Sequence, residues 1–112
     1  MYKILFRCLS QTELTNSQLI NNGWTINEKK TIITKMLSFK NFRHAFSFMT
    51  DVAMYSEKIN HHPEWKNVYN TVEISLTTHD IHGLTQKDYQ LAKYIDSSLE
   101  SYYRMPFYSF IK

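Results

Sequence analysis

The residues of this sequence best suited to chemistry are its histidines. In the stretch Ile59-Asn60-His61-His62-Pro63-Glu64-Trp65, two imidazoles stand side by side where a proline redirects the chain, and His79 follows a run of alternating apolar residues. Histidine has the unperturbed pKa nearest neutrality, so two or three of them can give and take protons at pH 7. Glu57 lies four residues before His61, one helical turn earlier; it is placed to accept a hydrogen bond from that imidazole and fix its tautomer. Three imidazole nitrogens would also suit zinc. Adjacent residues seldom aim at one ion, however, and neither a His-Glu-x-x-His stretch nor a cysteine pair accompanies them, so a metal is disfavoured. Histidines in ordinary surface loops are the third reading. Spacing alone leaves all three open.

The elements that must position these residues can be read from periodicity. Ser10-Gln11-Thr12-Glu13 has capping-box spacing; Leu14, Gln18, Leu19 and Ile20 follow, and Asn22-Gly23 ends a short first helix. Trp24 and Ile26 form one arm of a hairpin and residues 31–39 the other, across a polar turn at Asn27-Glu28-Lys29-Lys30. Ile33, Leu37 and Phe39 share a face; Lys35 interrupts it and is expected to run its ammonium to the edge. Phe42, Ala45, Phe46, Met49, Val52 and Ala53 follow helical spacing, which predicts a long amphipathic helix over 41–59 with that stripe buried. Phe48, Met54 and Tyr55 lie off the stripe, and exposure there would suit a protein interface. Pro63 disfavours helical geometry at His62 and ends the helix before the histidines.

Val72, Ile74 and Leu76 then alternate with Glu73, Ser75, Thr77 and His79, a strand with one buried face. Lys66–Asn70 reads as a separate strand turning near Asn70. Thr85 and Asp88 have N-cap and N3 spacing for a last helix with the stripe Tyr89, Leu91, Ala92, Ile95 and Leu99. The order helix, strand, strand, helix, strand, strand, helix predicts an α+β fold, an antiparallel sheet with helices on one face.

At 112 residues the chain fits one domain, with a core over about 10–103 and an aromatic extension over 104–112. Its 43% hydrophobic and 15% aromatic content can fill one core, and a core of this size makes oligomerisation a natural further source of burial. The net charge of +3 comes from scattered lysines without a basic stripe, which disfavours nucleic-acid binding. No apolar run approaches the roughly 20 residues needed to span a bilayer. Cys8, the single cysteine, has no partner for an internal disulfide and fits a reducing compartment, cytoplasmic or nuclear. The first ten residues are basic and apolar, compatible with a weak organelle-targeting segment but short and without a clear cleavage site.

Glu57, His61-His62-Pro63, Trp65, Asn67-Val68-Tyr69-Asn70, Thr78-His79, Gly83-Leu84-Thr85 and Asp88 together resemble the motif of the pterin-4a-carbinolamine dehydratases. The similarity runs upstream through residues 39–53 and Gly23-Trp24. It implies a four-stranded antiparallel sheet with three helices on one face, assembled as homodimers or homotetramers. It also implies dehydration of a 4a-hydroxytetrahydropterin to a quinonoid dihydropterin, which recycles the pterin of aromatic amino acid hydroxylases. The pterin is then substrate, and no cofactor or metal is required. The resemblance makes His61, His62 and His79 the catalytic set, with His61 and His79 transferring protons and His62 holding the pterin. Glu57 orients His61, Pro63 sets the loop, and Trp65 and Asp88 are assigned to binding or orientation, with core packing and helix capping as their ordinary explanations. Some members of the family also bind the dimerisation helix of a transcription factor. The alternative reading is therefore a non-catalytic binding protein that captures a partner helix on 41–59. Lys87 and Asn60 depart from the arginine and acid of some relatives.

Overall fold

The structure, a computed structural model, describes residues 17–103. The capping-box signal at 10–13, Leu14, Cys8, the basic N-terminal stretch and the aromatic extension lie outside the described residues. Residues 17–21 are helical (α1). This helix is closed by two backbone bonds, Gly23 N–H to the Ile20 carbonyl at 3.2 Å and Trp24 N–H to the Leu19 carbonyl at 2.9 Å. That is the Schellman pattern, and it needs a left-handed residue at its penultimate position; Gly23 supplies it at φ +98°.

The chain then forms β1 (Thr25–Ile26) and β2 (Ile33–Ser38), α2 (Phe42–Lys58), β3 (Glu64–Val68), β4 (Thr71–Leu76) and α3 (Gln86–Tyr103), the order expected from the sequence. The four strands make one antiparallel sheet in the order β1-β2-β4-β3. The strand expected from Lys66 begins at Glu64, directly after Pro63, whose ring disfavours helical geometry in the residue before it. Its turn falls at Tyr69-Asn70, with Tyr69 at φ +50°. Asn67 donates to the Thr71 carbonyl at 2.8 Å and Asn70 to the Phe39 carbonyl at 2.8 Å. The Asn-Val-Tyr-Asn part of the motif is thus a braced hairpin.

The register places Ile33 beside Leu76 and Leu37 beside Val72. These residues, with Ile74, form the buried face, and α2 and α3 cover it with Ala45, Phe48, Val52, Leu91, Ala92, Ile95 and Leu99. Each buried Val, Leu, Ile or Phe side chain among them contributes roughly 1.5–3 kcal/mol.

Two expectations are corrected here. Lys35 does not reach for the edge: its Nζ lies 2.9 Å from Asp96 Oδ1 on α3, so an ion pair satisfies the charge inside the layer. The buried stripe of α2 is also rotated. Phe48 is fully buried and Tyr55 half-buried, whereas Phe42 and Phe46, expected inside, are exposed and stack on each other at 5.4 Å; Ala53 is exposed too. The helix carries two neighbouring apolar stripes, and packing against α3 and β4 decides which one turns inward. Of the residues expected to be exposed, only Met54 is, at 71%.

Helices α2 and α3 are clamped by Asp51, which accepts from Tyr94 Oη at 2.6 Å and Ser98 Oγ at 2.7 Å. The hydrogen bond to Asp51, with burial and the carboxylate charge behind it, pushes the Tyr94 phenol up to about 12. The Tyr94 ring lies flat on Tyr55, centroids 3.9 Å apart.

Candidate active site

Helix α2 runs from its N-cap Asn41, whose side chain accepts from His44 N–H, to its C-cap Ile59. Its closing bonds repeat those of α1: Asn60 N–H reaches the Glu57 carbonyl at 3.2 Å and His61 N–H the Ser56 carbonyl at 3.0 Å. Asn60 takes the left-handed position, φ +53°, which asparagine tolerates better than most residues. Local backbone chemistry therefore fixes His61 as the second residue past the C-cap Ile59, directly after the left-handed Asn60, and the departure at Asn60 fits that turn.

His61 Nε2 lies 2.6 Å from Asp88 Oδ1, with the carboxylate fully buried and the imidazole 11% exposed. Asp88 stands at N3 of α3, as its spacing predicts, and its Oδ2 accepts the Thr85 N–H at 2.9 Å. The same oxygen accepts Thr78 Oγ1 at 2.7 Å. Capping and site contact, which the sequence leaves as alternatives for Asp88, are both realised, one through each oxygen. An ionised carboxylate only accepts, so with Asp88 ionised it is Nε2 of His61 that donates in this bond. Among the described residues nothing hydrogen-bonds to Nδ1, which leaves that nitrogen to accept a proton when the ring is neutral and to donate one when it is charged.

Glu57 does not orient His61. Its Oε1 lies 2.9 Å from His62 Nε2, because the left-handed Asn60 swings His61 off the helix line and brings the next residue over Glu57. This pair is exposed, 56% and 80%, and such surface pairs are worth about 0–1 kcal/mol. His79 lies three residues past the end of β4 rather than at its tip, in a loop closed by the Thr78–Gly83 bridge. Its Nε2 lies 2.7 Å from Glu64 Oε2, also an exposed pair. Each of the three histidines thus has its own carboxylate: Asp88 buried under His61, Glu57 and Glu64 at the surface beside His62 and His79. Trp65 packs half-buried against the core, in register with Ile74, which accounts for it as a core residue. Pro63 separates the histidine pair from β3.

Sequence reasoning missed Glu64, Thr78 and Thr85 as partners of the site. The signal for Glu64 lay in the register: β3 and β4 are antiparallel with Glu64 opposite Ser75, so residues just before β3 flank those just after β4. Among the described residues no group of three or more metal-ligating side chains converges, and no helix is long and apolar enough to cross a membrane.

The sequence pattern of the family described as Pterin 4 alpha carbinolamine dehydratase matches residues 7–98. A Drosophila melanogaster protein named pterin-4-alpha-carbinolamine dehydratase is 48% identical over 80 residues, 71% of this chain and 42% of that protein. A Sinorhizobium fredii protein, named provisionally as the same enzyme, is 50% identical over 84 residues, 75% of this chain and 78% of that protein. The chain therefore spans less than half of the insect relative and more than three quarters of the bacterial one. Among solved structures, a transcriptional coactivator/pterin dehydratase from Brucella melitensis superposes with a TM-score of 0.71 at 37% identity, covering 80% of this chain and 93% of that one. A pterin dehydratase-like protein identified as a RuBisCO assembly factor in the alpha-carboxysome shares the fold, TM-score 0.58, at 19% identity over 68% of this chain and 88% of that one. With this motif, this sheet order and a family match over most of its length, the chain belongs to the pterin 4 alpha carbinolamine dehydratase family.

Proposed function

We propose that this protein dehydrates a 4a-hydroxytetrahydropterin to the quinonoid dihydropterin and water by histidine acid–base catalysis, in the recycling of a hydroxylase pterin. The observation that carries the reading is the 2.6 Å contact between His61 Nε2 and the buried Asp88, within a chain of this family. In the reaction the bond from the 4a carbon to its hydroxyl oxygen breaks, one proton goes to the departing oxygen and one leaves a ring nitrogen. No electrons are transferred, so the scheme asks only for a proton donor and a proton acceptor beside a flat ring. His61 fits one of these roles: Asp88 holds Nε2–H and stabilises the imidazolium, and Nδ1 exchanges the proton. His79 fits the other, and His62, steadied by Glu57, contacts the ring.

Purified protein should accelerate dehydration of the carbinolamine, with the same rate in a chelator. His61→Ala and His79→Ala should each lower that rate by about 10²–10⁴-fold, the range for a general acid or base. Unchanged rates in both variants would remove the histidine scheme.

A second reading concerns assembly. Phe42 and Phe46, 45% and 53% exposed and stacked, form an apolar face on α2. This face suits a second copy of the chain or a partner helix. Charged substitutions at Phe42 and Phe46 that leave the oligomeric state unchanged would remove it.

A further inference from the structure

We infer that Thr78 is a positioning residue of the site and that Thr85 acts through it, the two hydroxyls forming a one-way donor chain that holds Asp88 and reserves its Oδ1 for His61. The inference rests on the dehydratase reading for its kinetic consequence, not for its geometry. Asp88 is fully buried, and a carboxylate in that position must have its oxygens satisfied by protein groups. Its Oδ1 faces His61 Nε2 at 2.6 Å; its Oδ2 accepts from Thr78 Oγ1 at 2.7 Å and from Thr85 N–H at 2.9 Å. Thr78 and Thr85 also meet hydroxyl to hydroxyl at 2.7 Å.

A threonine hydroxyl has one proton. Thr78 gives its proton to a carboxylate that cannot donate in return, so in the contact between the hydroxyls Thr85 must be the donor. The order runs Thr85 O–H to Thr78 O–H to Asp88 Oδ2, and each bond in such a chain polarises the next.

This arrangement acts on His61 through torsion. The terminal torsion of an aspartate is broad, so the carboxylate plane is set by what its oxygens touch rather than by a rotamer well. Two donors on Oδ2 fix the plane, and that plane aims Oδ1 at Nε2. Thr78 adjoins His79, and its backbone is tied to Gly83 by N–H to carbonyl at 2.9 Å. The path from His61 through Asp88 to Thr78 is therefore a hydrogen-bonded link that ends on the residue beside His79, joining the two histidines assigned to proton transfer.

The test compares Thr78→Val, which keeps the branched shape and removes the hydroxyl, with Thr78→Ser, which keeps the hydroxyl. Two quantities are read: kcat and KM for dehydration, and the ring ¹⁵N shifts of His61, which report its tautomer without substrate. Thr78→Val should lower kcat by about 10- to 100-fold, the scale of a small misplacement of a catalytic group, with KM nearly unchanged. The His61 nitrogens should move from the Nε2–H tautomer toward a mixture, and Thr78→Ser should restore both readouts. If Thr78→Val does not fold, Thr85→Val carries the test: it removes only the outer hydroxyl and should shift the same nitrogens in the same direction by less. Unmoved His61 nitrogens in the folded variant, or equal losses in Thr78→Val and Thr78→Ser, would overturn the inference. Wild-type protein without dehydratase activity would overturn the catalytic reading, and the nitrogen shifts would still decide whether Thr78 sets the tautomer.

Discussion

The ends of α1 and α2 are built alike. Each closes with the same pair of backbone bonds, each has a left-handed residue (Gly23, Asn60), and each places a nitrogen heterocycle immediately after it (Trp24, His61). Both ring N–H groups then meet an aspartate of α3: Trp24 Nε1 lies 3.0 Å from Asp96 Oδ1, and His61 Nε2 lies 2.6 Å from Asp88 Oδ1. What differs is the rest of each aspartate's surroundings. Asp96 has a cation, Lys35 Nζ at 2.9 Å, and Lys35 also lies 5.7 Å from the centre of the Trp24 ring. Among the described residues Asp88 has only neutral donors besides the imidazole. An indole cannot change its proton count near neutrality, and a charge already matched by lysine does not need it to. An imidazole can, and Asp88 meets it without a competing cation among the described residues. The same backbone device serves as an anchor at one end of the fold and as a candidate proton-transfer centre at the other.

The strongest way to break this comparison is to neutralise each aspartate. Asp88→Asn should lower the dehydration rate by about 10²-fold or more, because the amide cannot stabilise an imidazolium. Asp96→Asn should leave the rate within a factor of two and cost stability, about 2 kcal/mol, since it deprives Lys35 and Trp24 of a charged acceptor. Steady-state kinetics and urea unfolding on both variants would decide; a rate loss in Asp96→Asn matching that of Asp88→Asn would show the two ends to be equivalent.

The left-handed residues come next. Asn60→Val puts a β-branched side chain at φ +53°, and the strain should cost roughly 1–2 kcal/mol. Because His61 is the next residue, kcat should fall as well. Gly23→Ala should cost about 1 kcal/mol at unchanged kcat. A Cβ there meets nothing closer than Lys35 Cε at 3.7 Å, so the penalty is purely conformational.

A third aspartate, the half-buried Asp51, tests whether a carboxylate that accepts from hydroxyls is merely structural elsewhere. Tyr94 donates to Asp51, and its phenol is pushed from 10.0 to about 12. A folded pKa above the unfolded one means that the neutral phenol is favoured by folding. The contribution is complete below pH 10, and it is lost as pH rises through about 12. Wild-type protein should therefore lose thermal stability between those values more steeply than Tyr94→Phe, whose curve lacks this component. Identical alkaline limbs would remove the clamp.

Much of this was legible in the sequence, and the gaps have physical causes. The order of elements along the chain, the α3 stripe, the Thr85–Asp88 cap and the position of the His-His turn follow from periods of 2 and 3.6 and from proline geometry, which are local. The choice between the two apolar stripes of α2 is not local: Phe48 and Phe46 are equally apolar, and only the packing of α3 and β4 selects Phe48. The Glu57 partner was misassigned for a related reason. Helical spacing carries Glu57 to His61 only if the helix continues, and the left-handed Asn60 ends it. The motif residues that resemble the family were legible as a set, but their division into a braced hairpin at 67–70 and a hydrogen-bond network at 78–88 required the third dimension.

The smallest effect sharpens the comparison at a single position. In each closing motif the carbonyl that accepts the last backbone N–H belongs to the third residue from the helix end: Leu19 in α1, Ser56 in α2. Leu19 is apolar and buried, 2% exposed; Ser56 is buried at 1%, and its Oγ has no hydrogen-bond partner among the described residues. A buried hydroxyl without a partner carries a desolvation penalty of about 1–3 kcal/mol, and removing it returns part of that. Alanine also has the higher helix propensity. Ser56→Ala should therefore raise the unfolding free energy by about 1 kcal/mol, visible as an increase of roughly 4 °C in Tm, while the position of His61, held by the Ser56 backbone and not its side chain, stays the same and the dehydration rate with it. A lower rate in the stabilised variant would mean that the Oγ meets a partner only when substrate is bound, and the two helix ends would then differ in a further group that acts on the ligand.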